Sequence, residues 1–124
     1  MPPTPIRVLI ADDHRLFSEA LEAILAAEPE IEVVGFARDG EEAVERTLAL
    51  KPDVILMDIA MPGVDGVEAT KRIRRKQDSA RVLMLTGSNS RTDVARAREA
   101  GAAAYVTKDR IAAQLIEAIR DLAA

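Results

Sequence analysis

Five short, largely apolar runs alternate along the chain with longer segments in which apolar residues recur at helical spacing. The apolar runs predict buried strands at 6–11, 31–37, 53–58, 81–86 and 103–107. The segments that follow them predict helices at 14–27, 40–50, 64–76, 92–100 and 110–124. The inward stripe predicted for the first helix consists of Leu16, Phe17, Ala20, Leu21, Ile24 and Leu25. The corresponding stripe of the last helix consists of Ile111, Leu115, Ile119 and Leu122.

Regular alternation of strand and helix predicts one α/β domain over residues 1–124, with a parallel sheet covered by helices on both faces. Right-handed crossovers leave few topologies for five strand–helix units. We expect the flavodoxin-like (βα)5 fold, a doubly wound five-stranded parallel sheet with strand order 2-1-3-4-5. Ligands of such sheets bind beyond the carboxyl ends of the strands. The residues that follow strands 1, 3, 4 and 5 are therefore the candidates for chemistry.

The composition narrows the class of protein. The formal net charge is −4, and the basic cluster at 71–76 falls at a predicted helix end, where cations meet the negative end of the helix dipole. We therefore expect this chain not to bind DNA by itself. The sequence has no cysteine, no signal-peptide pattern and no apolar stretch near the roughly 20 residues that span a bilayer. These features favour a cytoplasmic protein without membrane attachment.

Acidic residues follow two strands that are neighbours in the expected sheet. Asp12 and Asp13 come directly after strand 1, and Asp58 ends strand 3. Three carboxylates at close range repel one another and need compensation. Oxygen ligands of this kind suit Mg²⁺, and Lys108 after strand 5 adds a positive charge nearby. Two other interpretations stay open: Asp13 as the N-cap of the first helix, and Lys108 as a surface lysine.

These groups point to phosphoryl chemistry. A carboxylate can attack phosphorus and form an aspartyl phosphate. Phosphoryl transfer needs chiefly positioning and neutralisation of developing charge, which Mg²⁺ and Lys108 could provide. The hydroxyl of Thr86, at the end of strand 4, could then donate to a phosphoryl oxygen. His14, the only histidine, is expected to face solvent or to pack rather than to take part in the chemistry.

The motifs stand in a fixed order at the strand ends. They are the residues 12–14, Asp58, the segment 61–66 with Pro62-Gly63, Thr86, and the segment 101–109 with Tyr105 and Lys108. Together they resemble, over the whole chain, the receiver domain of bacterial two-component response regulators. The segments 12–14 and 101–109 resemble in particular the NarL/FixJ (LuxR-type) group.

The resemblance implies a role for each residue of the acidic edge. Asp58 would accept a phosphoryl group from a histidine kinase. Asp13, Asp58 and the backbone carbonyl of Ala60 would ligate Mg²⁺, with Asp12 acting directly or through water. Lys108 would pair with Asp58 or with its phosphate.

The resemblance also implies how the signal leaves the domain. Thr86 and Tyr105 would form a switch pair that alters the surface of the fourth helix, fifth strand and fifth helix. Such domains usually precede a helix-turn-helix output domain that binds DNA and regulates transcription, and phosphorylation can bring about homodimers. We therefore expect a C-terminal output domain beyond this chain, with DNA contacted only through it.

Three rival classes fit the sequence less well. A flavin- or nucleotide-binding enzyme would need a glycine- or hydroxyl-rich loop after strand 1, whereas residues 12–14 are acidic or histidine. A phosphatase would be expected to carry a second acid just after its nucleophile, but Ile59 and Ala60 follow Asp58. We therefore expect no organic cofactor, and no enzyme activity beyond self-phosphorylation and autodephosphorylation. The alternative is a receiver-like module that dimerises without phosphorylation; its usual mark is loss of the acidic pair, the acceptor or the lysine, all kept here.

Overall fold

The computed structural model describes residues 4–87 and 91–124, and every predicted strand and helix forms within them. The strands are β1 (Ile6–Ala11), β2 (Ile31–Ala37), β3 (Val54–Asp58), β4 (Arg81–Thr86) and β5 (Ala104–Thr107). The helices are α1 (Arg15–Ala26), α2 (Gly40–Leu50), α3 (Gly66–Lys76), α4 (Arg91–Ala100) and α5 (Ile111–Ala123). The strands pair in parallel in the order β2-β1-β3-β4-β5, which confirms the predicted topology.

Two apolar layers hold the helices against the sheet, because successive residues of a strand point to opposite faces. Leu9 and Ala11 pack on the face covered by α2, α3 and α4. Val8 and Ile10 pack on the face covered by α1 and α5. All residues of β3 are buried, as expected for the central strand of a sheet covered on both sides. Asp58, the last residue of β3, is thus held by a rigid element.

Helix starts differ by one or two residues from the predicted ones where local polar contacts intervene. α3 begins at Gly66 rather than at 64, because the carboxylate of Asp65 accepts a hydrogen bond from the Glu68 amide at 2.9 Å and caps the first turn. α5 begins at Ile111 because Lys108–Arg110 form a 3-10 turn. Lys108 is therefore the first residue of that turn and directly follows β5.

The stripe predicted for α1 is partly wrong. Leu16 is 81% exposed and Ala20 is also exposed, whereas Ser18 is buried beside Leu21. Leu16 precedes Leu21 by five residues, which places it about 140° away around a helix with 3.6 residues per turn. The inward direction is set by the sheet beneath α1 rather than by the spacing of apolar residues alone. The stripe predicted for α5 is confirmed, with Leu122 half-buried at its end.

Candidate functional site

The sheet brings the predicted site residues to one edge. Asp12 follows β1, Asp58 ends β3, Thr86 ends β4 and Lys108 follows β5. Because parallel strands end at the same edge, Asp58 and Lys108 lie close to Asp12, although they are 46 or more positions from it in the sequence. Asp12 and Asp58 are both buried, at 2% and 1% exposure. Buried carboxylates need compensating partners, and the surrounding contacts supply some of them.

Lys108 and the chain after β3 hold the carboxylate of Asp58. The ammonium Nζ of Lys108 donates to Asp58 Oδ2 at 3.4 Å and lies 3.9 Å from Asp12 Oδ2. The backbone N–H of Ala60 donates to Asp58 Oδ1 at 3.2 Å, a contact that the sequence did not predict. The two oxygens of Asp58 are therefore oriented by two different groups. The interpretation of Lys108 as an unattached surface lysine is excluded by these contacts.

The charge on Asp58 is nevertheless poorly compensated. Burial raises the pKa of Asp58 above its ordinary value of 3.8, and the negative charge of Asp12 raises that pKa further. Lys108 and the amide of Ala60 act in the opposite direction without reversing the shift of the Asp58 pKa. A carboxylate with this environment gains from any additional positive charge placed beside it.

Four donor groups at this edge could hold a metal ion. One ligand atom each from Asp12, Asp13, His14 and Asp58 lies within 4.8 Å of the others. Asp12 Oδ2 is buried and has no hydrogen-bond partner among the described residues. A buried carboxylate oxygen of this kind is costly unless a cation approaches it. The donor set, with its carboxylate oxygens, fits a hard divalent cation such as Mg²⁺.

The start of α1 differs from the alternative in which Asp13 caps the helix. His14 is the N-cap residue, and in the described part of the chain it makes no side-chain capping bond. The carboxylate of Asp12 instead accepts the backbone N–H of His14 at 2.7 Å. Asp13 is exposed, and its carboxylate lies with those of Asp12 and Asp58 at the acidic edge instead of capping the helix.

His14 is the residue whose position the sequence did not predict. Its side chain is 65% exposed, as expected, yet Nδ1 lies 3.1 Å from Asp13 Oδ1 and 3.2 Å from Asp12 Oδ1. Asp58 Oδ2 is 3.9 Å from the same nitrogen. The sequence signal that could have indicated this position is that His14 directly follows the acidic pair. Consecutive residues at the end of a strand lie at the same edge of the sheet.

Phe17 is a second residue whose contact at the site was missed. The sequence assigned it only to the apolar stripe of α1, but the Nζ atom of Lys108 lies 4.4 Å from the centroid of its ring. This is within the range of a cation–π attraction. The ring therefore restrains the ammonium that faces Asp12 and Asp58.

The predicted switch residues lie at different depths. Thr86 is fully buried at the carboxyl end of β4, next to the acidic edge. Tyr105 in β5 is 40% exposed and lines a hollow together with Val94 and Arg98 of α4. β4 and β5 pair directly, so the two residues belong to adjacent strands. α4 itself buries only Ala97 and Ala100.

Comparisons with known proteins agree with this architecture. A family profile described as "Response regulator receiver domain" matches residues 8–120. The transcriptional regulatory protein LiaR of Bacillus subtilis is 46% identical over 115 residues, which are 93% of this chain and 54% of LiaR. The nitrate/nitrite response regulator protein NarP of Escherichia coli is 38% identical over 94% of this chain and 54% of its own length. The chain thus spans about half the length of the curated relatives it matches.

Solved structures give the same result. The signal receiver domain of the putative response regulator NarL from Mycobacterium tuberculosis superposes with a TM-score of 0.93 and 36% identity over 98% of each chain. The response regulator domain of Thermotoga maritima CheB superposes with a TM-score of 0.90 and 38% identity over 96% of each chain. In the described residues, no helix is long and apolar enough to cross a membrane. The chain belongs to the response regulator receiver domain family of two-component systems and is of the NarL/LuxR type.

Proposed function

We propose that this receiver domain is a phosphorylation-activated switch in which Asp58 accepts a phosphoryl group from a phosphohistidine of a histidine kinase. The observation that carries the proposal is the environment of Asp58: a buried carboxylate on the central strand, oriented by Lys108 and Ala60, beside a second buried carboxylate. This arrangement fixes an oxygen nucleophile whose negative charge Lys108 compensates only in part. A phosphoryl group that arrives with a divalent cation supplies that charge.

The transfer needs only the two proteins and a proton from water. An oxygen of Asp58 attacks phosphorus, the P–N bond of the phosphohistidine breaks, and the imidazole leaves with the bond electrons and takes up a proton from water. Lys108, already 3.4 Å from Asp58 Oδ2, would then pair with the phosphoryl oxygens. Mg²⁺ would be held by Asp13, Asp58 and the Ala60 carbonyl, with Asp12 direct or through water; when bound, it neutralises charge on the phosphoryl group.

The output would pass through the surface of α4, β5 and α5. The hydroxyl of Thr86 would turn toward the phosphoryl group and vacate space beside β4. Tyr105 would then move inward from its exposed position. Val94 is the only large apolar residue of α4, and it is half-buried, so little apolar area opposes a shift of this helix. The bistable element is thus a side-chain pair together with a weakly anchored helix.

The partners follow from the proposal. LiaR and NarP are about twice as long as the matched region, and LiaR is named a transcriptional regulatory protein. We therefore infer a helix-turn-helix output domain C-terminal to the receiver domain, through which the complete protein would bind DNA in the cytoplasm as a phosphorylation-dependent dimer. The domain would have no enzyme activity beyond its own phosphorylation and autodephosphorylation, and no organic cofactor.

The decisive experiment is labelling by acetyl phosphate with Mg²⁺, followed by intact-mass measurement. We expect one phosphoryl group, stable to acid and labile to base, and none in Asp58→Asn. Asp121→Asn, an exposed substitution in α5, is the matched control and should label like the wild type. Equal labelling of Asp58→Asn, or undiminished labelling in excess chelator, would show that the acceptor or the metal has been assigned wrongly. A receiver-like dimerisation module would dimerise equally well with and without the phosphodonor.

A further inference from the structure

His14 adds a nitrogen donor to the oxygen donors of the acidic edge. Its Nδ1 atom lies at 3.1 and 3.2 Å from oxygens of Asp13 and Asp12. Two ligands that are each about 2.1 Å from one zinc ion lie about 3.0–3.4 Å apart in tetrahedral or octahedral geometry. The observed separations therefore match those of neighbouring ligands around one ion. Asp58 Oδ2 lies farther off, 3.9 Å from the same nitrogen.

An independent observation points to a cation beside the same carboxylate of Asp12. Asp12 Oδ2 is buried, lacks a hydrogen-bond partner within the described ranges, and has Lys108 Nζ at 3.9 Å, beyond hydrogen-bond distance. The buried carboxylate whose Oδ1 faces His14 Nδ1 thus carries a second oxygen, Oδ2, that no donor within the described ranges satisfies. A bound dication would satisfy this oxygen.

The kind of ion follows from the donors. Carboxylate and carbonyl oxygens suit Mg²⁺, whereas an imidazole nitrogen strengthens binding of first-row transition ions, along the series that rises from Mn²⁺ to Cu²⁺ with Zn²⁺ also high. Mg²⁺ gains little from a nitrogen ligand and keeps most of its waters. A mixed site of one nitrogen and three carboxylates therefore favours transition ions over Mg²⁺.

We propose that His14 is a metal ligand that makes the acidic edge a site for Zn²⁺ and related transition ions, which compete there with Mg²⁺. The inference rests on the Mg²⁺ site of the proposed function and adds a ligand and a selectivity to it. Two outcomes of metal occupancy follow: Mg²⁺, held by oxygens alone, supports phosphoryl transfer, whereas Zn²⁺, held also by His14, occupies the same carboxylates and blocks entry of Mg²⁺.

The chain allows a clean test, because it has one histidine and no cysteine. In tag-free protein labelled with ¹⁵N-histidine, Zn²⁺ should shift the Nδ1 resonance of His14 and Mg²⁺ alone should not. His14→Phe keeps a planar ring, removes both nitrogens and changes an exposed side chain, so folding should be preserved. We expect its affinity for Zn²⁺, measured by calorimetry, to fall roughly tenfold or more, and its affinity for Mg²⁺ to change much less than that. Asp12→Asn should weaken the binding of both ions.

The results separate this inference from the proposed function. If Zn²⁺ binds His14→Phe as tightly as the wild type, or leaves Nδ1 unshifted, the imidazole only donates to the carboxylates and the inference is wrong. If Zn²⁺ binding survives Asp12→Asn unchanged, the ion lies elsewhere and the inference is equally wrong. Mg²⁺-dependent labelling of Asp58 is measured without Zn²⁺, so its result tests the proposed function independently of the Zn²⁺ site. Added Zn²⁺ should suppress that labelling more strongly in the wild type than in His14→Phe.

Discussion

Replacing Asp58 by asparagine should stabilise the metal-free protein at neutral pH, although it removes the proposed phosphoacceptor. At an effective dielectric constant of 20, Lys108 at 3.4 Å attracts the Asp58 carboxylate by about 5 kcal/mol. A ligand oxygen of Asp12 lies no farther than 4.8 Å away and repels it by at least about 3.5 kcal/mol at the same dielectric constant. The two effects leave only a small net attraction.

Desolvation of the Asp58 carboxylate then decides the sign. Burying one ion costs several kcal/mol even after relaxation, which exceeds the remaining attraction. The raised pKa of Asp58, caused first by burial and then by Asp12, also means that the environment disfavours the charged carboxylate. We therefore expect Asp58→Asn to increase the free energy of unfolding by about 1–3 kcal/mol. For a domain of this size, each kcal/mol raises the melting temperature by about 4 °C.

The pH dependence provides a second measurement of the same effect. Because the pKa of Asp58 is raised in the folded state, its ionisation destabilises the protein above that pKa, and the penalty disappears as the pH falls through it. Below the ordinary value of 3.8 the folded and unfolded states are both protonated. The difference in stability between the variant and the wild type should therefore be largest at neutral pH and should vanish in acid.

Thermal denaturation in chelator, from neutral to acidic pH, would measure this difference, with Asp121→Asn expected to stay within about 0.5 kcal/mol of the wild type. Added Mg²⁺ should remove most of this difference or reverse it. At a hundred times its dissociation constant, Mg²⁺ should stabilise the wild type by about 2.7 kcal/mol and the variant much less. An Asp58→Asn protein that is less stable than the wild type in chelator at neutral pH would refute the reasoning.

Three further substitutions test the switch, the lysine and the packing of the start of α3 against β3. Thr86→Ala should label normally but lose the amide-exchange response of residues 91–108 to beryllofluoride; an unchanged response would contradict its role. Phe17→Leu should remove about 0.5–1 kcal/mol of cation–π attraction and weaken beryllofluoride binding about two- to fivefold, whereas Phe17→Tyr should bind normally. Gly66→Ala should lower stability by about 2–3 kcal/mol, because its Cβ would collide with backbone of β3. Gly87→Ala, with no described atom within 4 Å of its Cβ, is the matched control in thermal denaturation.

Much of the fold could be predicted from the sequence because local signals agreed with one another. Apolar runs marked all five strands, and the alternation with helices left one favoured strand order, which the structure confirms. The errors lie where periodicity does not fix direction. Leu16 satisfies an apolar spacing on α1 yet points to solvent, because the sheet selects which side of a helix is buried.

The candidate site divides in the same way. The sequence by itself determined which acids and which lysine come together, since parallel strands place their carboxyl ends at one edge and Asp12, Asp58 and Lys108 each stand at such an end. Only the tertiary structure decided how the charges are balanced. The contacts of Lys108 with the ring of Phe17, and of His14 Nδ1 with two carboxylates, depend on the angle at which α1 leaves β1. A local sequence pattern does not predict that angle, because the angle results from the packing of α1 against the sheet.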